Sequence, residues 1–538
     1  MKFGGHGFGI WAGAGAAFLV VVYAVFHLFR VEAQPGVAAA LLFLAGIGGG
    51  GLLFALADRA LAVPWRGGAV ARVVLRESLR RRLAPVTLAI LLLLVIALGF
   101  KLQGEQLLHY RMRSVLTYSF ELIAIVLSLT TLFLACSTLA NETHHKHAHT
   151  TLTKPIRRFE FLIGKWLGIL AMNAVLLMAV GGVLSAVCWI QWSQATDPTE
   201  VDKVSTEVLS ARRDCAPQPD PPLLERAESV FLASLARRRD QNPLDPVLQD
   251  AGLREMEWAR VYRSESIGSR HVSPGEREVY LFEGIDPSDE EWDALRLRVE
   301  VDLRYRVGGR PALAADRDFV FEFSYNGAEP RRQPLLHDEV ALIPLDRTQV
   351  AEDGTLRLEI HNPDPEGPTL ILSGDHAIEV LYPTGSFGMN LVRALLVLWM
   401  RLAFLAALGL AAASFLSFPV ASLVVVILAG VAGSAEFIVE DREVHSHSHS
   451  HGPVQEQRAD LELVEKFVDS VDEAGQGLAR WLLRFSQYSP TERIADGRSI
   501  PWSEVWECLR WIGGAWAGGA LLFGAFLFSR RELARVQV

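Results

Sequence analysis

Four alternating histidines carry the clearest metal-binding potential in the sequence. His445, His447, His449 and His451 are separated by single serines. Alternate residues of an extended chain project to one side, and neutral imidazole is a good ligand for Zn, Cu or Ni. The same repeat is also typical of a low-complexity linker, and it lacks a carboxylate or cysteine partner that would orient the rings. This segment therefore has two interpretations, a metal-binding site and a low-complexity linker.

A second group of histidines lies in a polar loop that also contains Lys154 and Pro155. These histidines are His144, His145, His147 and His149. We interpret them as polar interface residues, with metal binding or pH sensing as the alternative. The four cysteines, at 136, 188, 215 and 508, lie far apart without a C-x-x-C pair, so they indicate neither a disulfide framework nor a thiolate metal site. No set of titratable groups converges at one depth, so we expect no enzymatic activity from this chain.

The composition excludes a purely soluble protein. Of the 538 residues, 50% are hydrophobic and only 21% are charged, and the mean hydropathy is +0.23. A chain this long and this apolar must contain blocks with almost no charge. The net charge of -9 gives no polycationic footprint, so we expect no nucleic-acid partner.

Eight apolar segments reach or approach the ~20 residues that a helix needs to cross a bilayer. They run at 10–29, 37–57, 84–100, 120–140, 161–190, 402–418, 420–438 and 512–528. Arginine and lysine accumulate after the second segment, after the fourth and at the C-terminus. Because positive residues favour the cytoplasmic side, both termini are predicted to be cytoplasmic in a multi-pass protein of the cell membrane. The first segment could also be read as a signal peptide, but it is long for one and Arg30 beside the candidate cleavage site is unfavourable.

A polar insertion at 191–390 interrupts the apolar pattern on the predicted outer side. Its first part, 221–262, reads as helical, and its second part reads as strands. Between Leu295 and Val307, apolar and charged residues alternate over thirteen positions, which predicts an amphipathic strand with one wet face. Asn326-Gly327 is a strong hairpin signal. We therefore predict an inserted extracytoplasmic α+β domain built on an antiparallel β-sandwich.

The loop after the fourth apolar segment contains the residue order that says most about function. Glu142 is followed by a polar stretch with threonines, then by Lys154-Pro155-Ile156-Arg157-Arg158, and Gly164-Lys165 stands at the entry to the next segment. Pro155 can start a helix because its fixed φ suits the first turn. We expect Arg157, Arg158 and Lys165 to hold this helix at the phospholipid surface.

This order resembles the ABC-2 family of ABC transporter permeases, in which the equivalent loop runs from a Glu to a Pro, a nearby Arg and a Gly-Lys pair. The matching positions are Glu142, Pro155, Arg158, Gly164 and Lys165. The segment 66–83 looks like the amphipathic interfacial helix of that family, with Arg72, Arg76 and Arg80 on one stripe. The run 488–502 looks like its short outer segment, and FSRREL at 528–533 resembles its ending. The resemblance covers about 66–190 and 391–538, and the first two segments and the insertion depart from it.

The resemblance implies a transport subunit that does no chemistry itself. ATP and Mg would be bound by a separate ATPase, since this chain has no G-x-x-x-x-G-K-[ST] motif. A second permease unit, identical or different, would complete the complex. The ATPase-coupling loop would comprise Glu142, Lys154, Pro155, Arg157, Arg158, Gly164 and Lys165. The function expected on this basis is an exporter permease, and the alternative is a non-transporting membrane anchor that displays the β-sandwich for ligand binding or envelope assembly.

The predicted organisation follows from these boundaries. It comprises an N-terminal transmembrane hairpin (1–62), the first part of the transmembrane core with the interfacial helix and coupling loop (63–190), the extracytoplasmic domain (191–390), a transmembrane hairpin (391–438), an extracytoplasmic His-rich and amphipathic loop (439–508), and a last transmembrane helix with a cytoplasmic tail (509–538).

Overall fold

The computed structural model divides the chain into two compact units. One unit is helical and comprises 1–209 and 386–538, and the other is rich in strands and comprises 210–385. The residues described are 35–62, 64–101, 107–144, 157–195, 197–218, 221–241, 246–249, 254, 256–262, 271–286, 295–307, 310–313, 319–337, 339–372, 377–427 and 490–530.

The helical unit contains long apolar helices joined by short polar ones. Its helices are α1 (Pro35–Ala60), α2 (Arg66–Arg80), α3 (Leu83–Lys101), α4 (Leu108–His144), α5 (Arg158–Ser193) and α6 (Pro198–Lys203). In chain order, α7 (Pro221–Gln241) and α8 (Pro246–Gln249) belong to the strand-rich unit. The helical unit resumes with α9 (Phe387–Ala413), α10 (Phe418–Ile427), α11 (Thr491–Ala495) and α12 (Trp502–Arg530), which includes a π-helical stretch at Leu509–Trp516.

Six of these helices are long and apolar enough to cross a membrane: α1, α3, α4, α5, α9 and α12. They overlap six of the eight predicted segments, although α9 begins at Phe387 and not at 402. They indicate an integral membrane protein. The first predicted segment lies outside the described residues. Of the seventh, only the part up to Ile427 is described, as the short apolar helix α10.

Glycines and buried polar side chains set the spacing of the long helices. A Cβ on Gly46 of α1 would lie 2.7 Å from Leu92 of α3, so the two helices approach closely at this point. Between α4 and α5, the buried Asn173 Nδ2 donates to Thr131 Oγ1 at 2.8 Å. Such polar pairs between apolar helices fix which turns face each other, because an unpaired amide would be costly in this environment.

A short segment before the last helix is fastened to the start of α9. Asn390 Nδ2 donates to the Arg498 carbonyl at 2.7 Å, and its Oδ1 accepts from the Ile500 amide at 2.9 Å. Arg393 donates to the Ile500 carbonyl at 3.0 Å. This segment, which contains α11, lies within the run 488–502 that resembles a short outer segment of the ABC-2 family.

The strand-rich unit has two antiparallel sheets around one apolar core. Its strands are β1 (Ser210–Cys215), β2 (His271–Val272), β3 (Arg277–Phe282), β4 (Arg296–Val307), β5 (Arg310–Leu313), β6 (Phe319–Tyr325), β7 (Arg331–Leu335), β8 (Glu339–Pro344), β9 (Leu356–His361), β10 (Thr369–Ile371) and β11 (Ile378–Ser386). One sheet has the order β1-β11-β4-β10-β2, with β5 and β8 also on β4, and the other has the order β3-β9-β6-β7.

The predicted hairpin is present between β6 and β7. Asn326 and Gly327 both have positive φ, 48° and 77°, as a tight two-residue turn requires. The long strand β4 pairs with β8 and β11 through its first half and with β10 and β5 through its second.

The polar face of β4 is less exposed to solvent than the alternation of its residues predicts. Arg298 of β4 faces Glu379 of β11, and their side chains are 12% and 0% exposed. The alternation gives the two faces of the strand correctly. It does not indicate that this part of the polar face is covered.

The unit boundaries differ from the predicted limits of 191 and 390. Helix α5 continues to Ser193, and α6 and the π-helical turn Val204–Val208 still pack with the helical unit. At the other end, α9 already begins at Phe387. The hydroxyl of Ser386 caps α9 by accepting from the Met389 amide, so this helix starts before the predicted limit.

Candidate functional site

Helix α2 is amphipathic and lies between the ends of α1 and α3. Arg72, Arg76 and Arg80 lie outside the buried face of this helix. Its buried residues are Gly67, Gly68, Ala71, Val74, Leu75 and Ser78. The three- and four-residue spacing of the small and apolar positions is that of a helix with one packed face. The sequence thus predicts this amphipathic helix correctly.

Two glycines of α5 let α2 pack closely against it. A Cβ on Gly164 would lie 2.7 Å from the Gly67 carbonyl, and a Cβ on Gly168 would lie 2.7 Å from the Ala71 carbonyl. Both distances are shorter than a Cβ can adopt without movement of the backbone. Gly164 of the predicted Gly-Lys pair therefore has a definite packing role, in a small-x-x-x-small arrangement with Gly168.

Asp58 forms ion pairs with two of the three predicted interfacial arginines. Its Oδ2 lies 2.9 Å from Arg72 Nη2, and its Oδ1 lies 2.7 Å from Arg76 Nε. Each guanidinium binds the carboxylate in a bidentate manner, because Arg72 Nε and Arg76 Nη2 also donate to it. This arrangement fixes α2 to the last turn of α1. Arg80 is exposed.

Arg158 connects the start of α5 to the end of the last helix. Its Nη1 donates to the carbonyls of Phe528 and Ser529, both at 2.8 Å. The carbonyls at a helix C-terminus lack intrahelical partners and carry partial negative charge, so a guanidinium stabilises them. The rings of Phe161 and Phe528 stack beside this contact, with 6.4 Å between centroids. Arg158 is therefore a contact between two helices as well as a motif residue.

Lys165 is buried rather than placed at a phospholipid surface. Its side chain is 1% exposed, and its Nζ donates to the Thr138 carbonyl of α4 at 3.1 Å. The same Nζ lies 4.9 Å from the centroid of the Phe161 ring. The expectation that Lys165 holds the helix at the lipid surface is wrong, because its face of α5 packs against α4. Arg158 also departs from that expectation, since it is directed to α12.

The remaining predicted residues lie at or beyond the limits of the described chain. Glu142 lies in the last turn of α4, and Arg157 is exposed immediately before α5. Lys154 and Pro155 lie outside the described residues, as do His145, His147, His149 and the repeat at His445, His447, His449 and His451. Within the part of the chain that the structure describes, no three His, Cys, Asp or Glu side chains group to hold a metal ion.

Sequence reasoning did not identify three partners at this site: Asp58, Gly168 and the C-terminal carbonyls of α12. The G-x-x-x-G spacing of Gly164 and Gly168 was visible in the sequence and could have indicated a close helix contact. Asp58 and the carbonyls at Phe528 and Ser529 carry no such signal. Asp58 lies 14 and 18 positions from its two arginine partners, and the carbonyls lie 370 and 371 positions from Arg158.

Comparison with known proteins gives no relative for this chain. No protein-family description, no curated protein and no solved structure matches it.

Proposed function

We propose that this chain is the permease subunit of an ABC-2-type ABC transporter, an exporter driven by a separate ATPase that binds ATP and Mg. The coupling site is the exposed start of α5, together with the preceding loop from Glu142. A second permease unit completes the transport pathway. Both termini and the loop are cytoplasmic in this proposal, and the strand-rich unit is extracytoplasmic.

The contact of Arg158 with α12 is the observation that best supports the proposal. The elements that the family resemblance selects are distant in sequence: the amphipathic helix, the end of the coupling loop and the last span. They pack at one end of α5, through Gly164 and Gly168 on one side and Arg158 on the other. A partner that moved the loop would therefore move three helices, which is what coupling to an ATPase requires.

Purification of the tagged full-length chain from its own membranes in mild detergent tests the proposal. Mass spectrometry of the co-eluting proteins should find an ATPase in stoichiometric amount with the wild type. Arg157→Glu should reduce the bound ATPase by at least about tenfold, since reversing an exposed interface charge commonly costs more than one power of ten. Arg157 is the better first variant, because reversal at Arg158 also removes the contact with α12 and is expected to lower the Tm.

A matched control separates coupling from general damage. Arg357 is an exposed arginine of the strand-rich unit, so Arg357→Glu should leave the bound ATPase unchanged. Arg158→Glu should reduce the amount of bound ATPase and lower the Tm. Arg157→Glu should reduce the amount of bound ATPase and leave the Tm unchanged. If no ATPase elutes with the wild type, the anchor that displays the strand-rich unit becomes the better assignment.

A further inference from the structure

The face of α2 that is directed away from its buried residues bounds an open depression. It has a volume of about 650 Å³ and is lined by Val73, Arg76, Glu77, Arg80 and Arg81. The lining combines three guanidinium groups with one aliphatic side chain. This is a surface for a ligand that is anionic at one end and apolar at the other.

The positive charges around the depression exceed the negative ones. Arg72 and Arg76 share Asp58, and Arg81 Nη2 pairs with Glu77 Oε1 at 2.7 Å. Among the residues with a described position, Arg80 has no carboxylate partner. The charges of four arginines (Arg72, Arg76, Arg80 and Arg81) exceed those of two carboxylates (Asp58 and Glu77). An excess of two positive charges therefore remains at and beside the depression.

The position of the depression selects a lipid as its ligand. Asp58 stands in the last turn of α1 and Leu83 begins α3, so the depression lies beside the ends of two candidate spans. From Leu83 onward, exposed apolar residues recur along α3 at a spacing of three and four: Leu83, Val86, Ile90 and Leu93. This spacing forms one helical stripe, which can accept a hydrocarbon chain. A protein partner would not need an apolar stripe that continues along a span.

We infer that this depression binds the headgroup of an anionic phospholipid. Arg80 and Arg81 hold the phosphate by charge-assisted hydrogen bonds, which guanidinium groups form in paired geometry. Val73 contacts the glycerol region, and one acyl chain lies along the exposed stripe of α3. The inference does not depend on the ATPase, because it concerns a different face of α2 from the one that packs on α5.

Lipid-dependent thermal stability of the purified full-length chain tests the inference. Dioleoylphosphatidylglycerol added to the detergent should raise the Tm in a saturable manner, and dioleoylphosphatidylcholine should raise it much less. In Arg80→Gln/Arg81→Gln the apparent affinity for phosphatidylglycerol should fall at least tenfold, because each charge-assisted hydrogen bond is typically worth about one power of ten. Arg80→Gln alone should give a smaller loss with the Arg81–Glu77 pair intact. Native mass spectrometry should show phosphatidylglycerol retained on the wild type and lost from the double variant.

The controls make each outcome decisive. Arg331→Gln/Arg357→Gln changes two exposed arginines of the other unit and should keep the phosphatidylglycerol effect. An equal rise with inorganic phosphate alone would assign the site to a free anion and overturn the lipid. An effect that persists in Arg80→Gln/Arg81→Gln would also overturn it. So would loss of a bound ATPase from that variant with the lipid effect unchanged, since the depression would then belong to the protein partner.

Discussion

Arg82 joins α2 to α3 with a backbone conformation that favours glycine. Its φ is 60°, whereas Arg81 before it has a φ of -77°. A side chain in this left-handed region costs roughly 1 kcal/mol, because the Cβ crowds the following carbonyl oxygen. The chain therefore carries a small strain at the turn that directs α3 away from α2.

Replacing Arg82 by glycine should relieve this strain. We expect Arg82→Gly to raise the free energy of unfolding by up to about 1 kcal/mol and to raise the Tm in detergent. Arg81→Gly is the matched control: it relieves no strain and removes the ion pair with Glu77, so it should lower the Tm. Equal changes in the two variants would show that the φ of Arg82 carries no strain.

Glu200 links α6 to the first turn of α4. Its Oε2 accepts from the Leu108 amide at 3.1 Å and lies 3.0 Å from His109 Nδ1. Burial opposes ionisation of this carboxyl, but the hydrogen bonds and the charge interaction with His109 outweigh it and hold the pKa below its usual 4.5. The ionised form is therefore the one that stabilises the fold.

The lowered pKa of Glu200 predicts a dependence of stability on acid. A carboxyl whose pKa is lower in the folded state contributes stability above its unfolded pKa and loses it as the pH falls through the folded value. The Tm should fall as the pH drops below about 4.5, and Glu200→Gln should weaken that fall and lower the Tm at neutral pH. Glu329→Gln, at an exposed position, should keep the wild-type profile. Identical profiles for wild type and Glu200→Gln would refute the role of this carboxylate.

At the scale of helices, α5 is the element on which the others are arranged. It has 36 residues, or about 54 Å, which exceeds the ~30 Å thickness of a hydrocarbon core. Helix α2 packs beside Gly164 and Gly168, and α3 packs further along, where Gly99 lies against Val187. The two helices thus follow each other along α5, and α2 takes the end at which α5 begins.

The glycine contact between α2 and α5 should not tolerate a methyl group. Gly164→Ala would place a Cβ 2.7 Å from the Gly67 carbonyl and from Val70 Cβ, so the helices must separate. We expect a loss of about 1–3 kcal/mol, which is usual for overpacking, and a lower Tm. The matched control is Gly182→Ala in the same helix, where a Cβ would meet nothing within 4 Å. Its Tm should be unchanged or higher, and a similar loss at both positions would argue against a specific contact.

At the scale of the whole molecule, the strand-rich unit is built as an insertion between two spans. Its first strand, β1, and its last, β11, are neighbours in one sheet, so the chain enters and leaves the unit side by side. Its core is separate from the core of the helical unit. This arrangement lets a complete domain be placed between α5 and α9 without separating those helices.

One native cysteine can report on which side of the membrane this unit lies. Cys136, Cys188 and Cys508 are buried in the helical unit, and Cys215 of β1 is half-buried. Burial raises the pKa of the Cys215 thiol, so labelling should be slow at neutral pH and faster as the pH rises. A membrane-impermeant maleimide should label the wild type, and not Cys215→Ser, in cells with an intact cytoplasmic membrane. Labelling only after permeabilisation would place the unit in the cytoplasm and reverse the proposed topology.

Features that depend on a local pattern of residues can be predicted from the sequence alone. Apolar length predicts the six long helices, alternation predicts β4, and Asn326-Gly327 predicts the turn between β6 and β7. These features can be read locally because the periods of helices and strands repeat over neighbouring residues. The amphipathic helix α2 belongs to the same class.

The partners at the candidate site depend on contacts between residues that are far apart in the chain. Asp58 meets Arg72 and Arg76, Lys165 is buried against Thr138, and Arg158 reaches carbonyls some 370 positions away. Main-chain carbonyls carry no residue type, so no motif marks them as partners. The side of a helix that a charged residue faces is set by the neighbouring helices, which assemble only when the whole bundle packs.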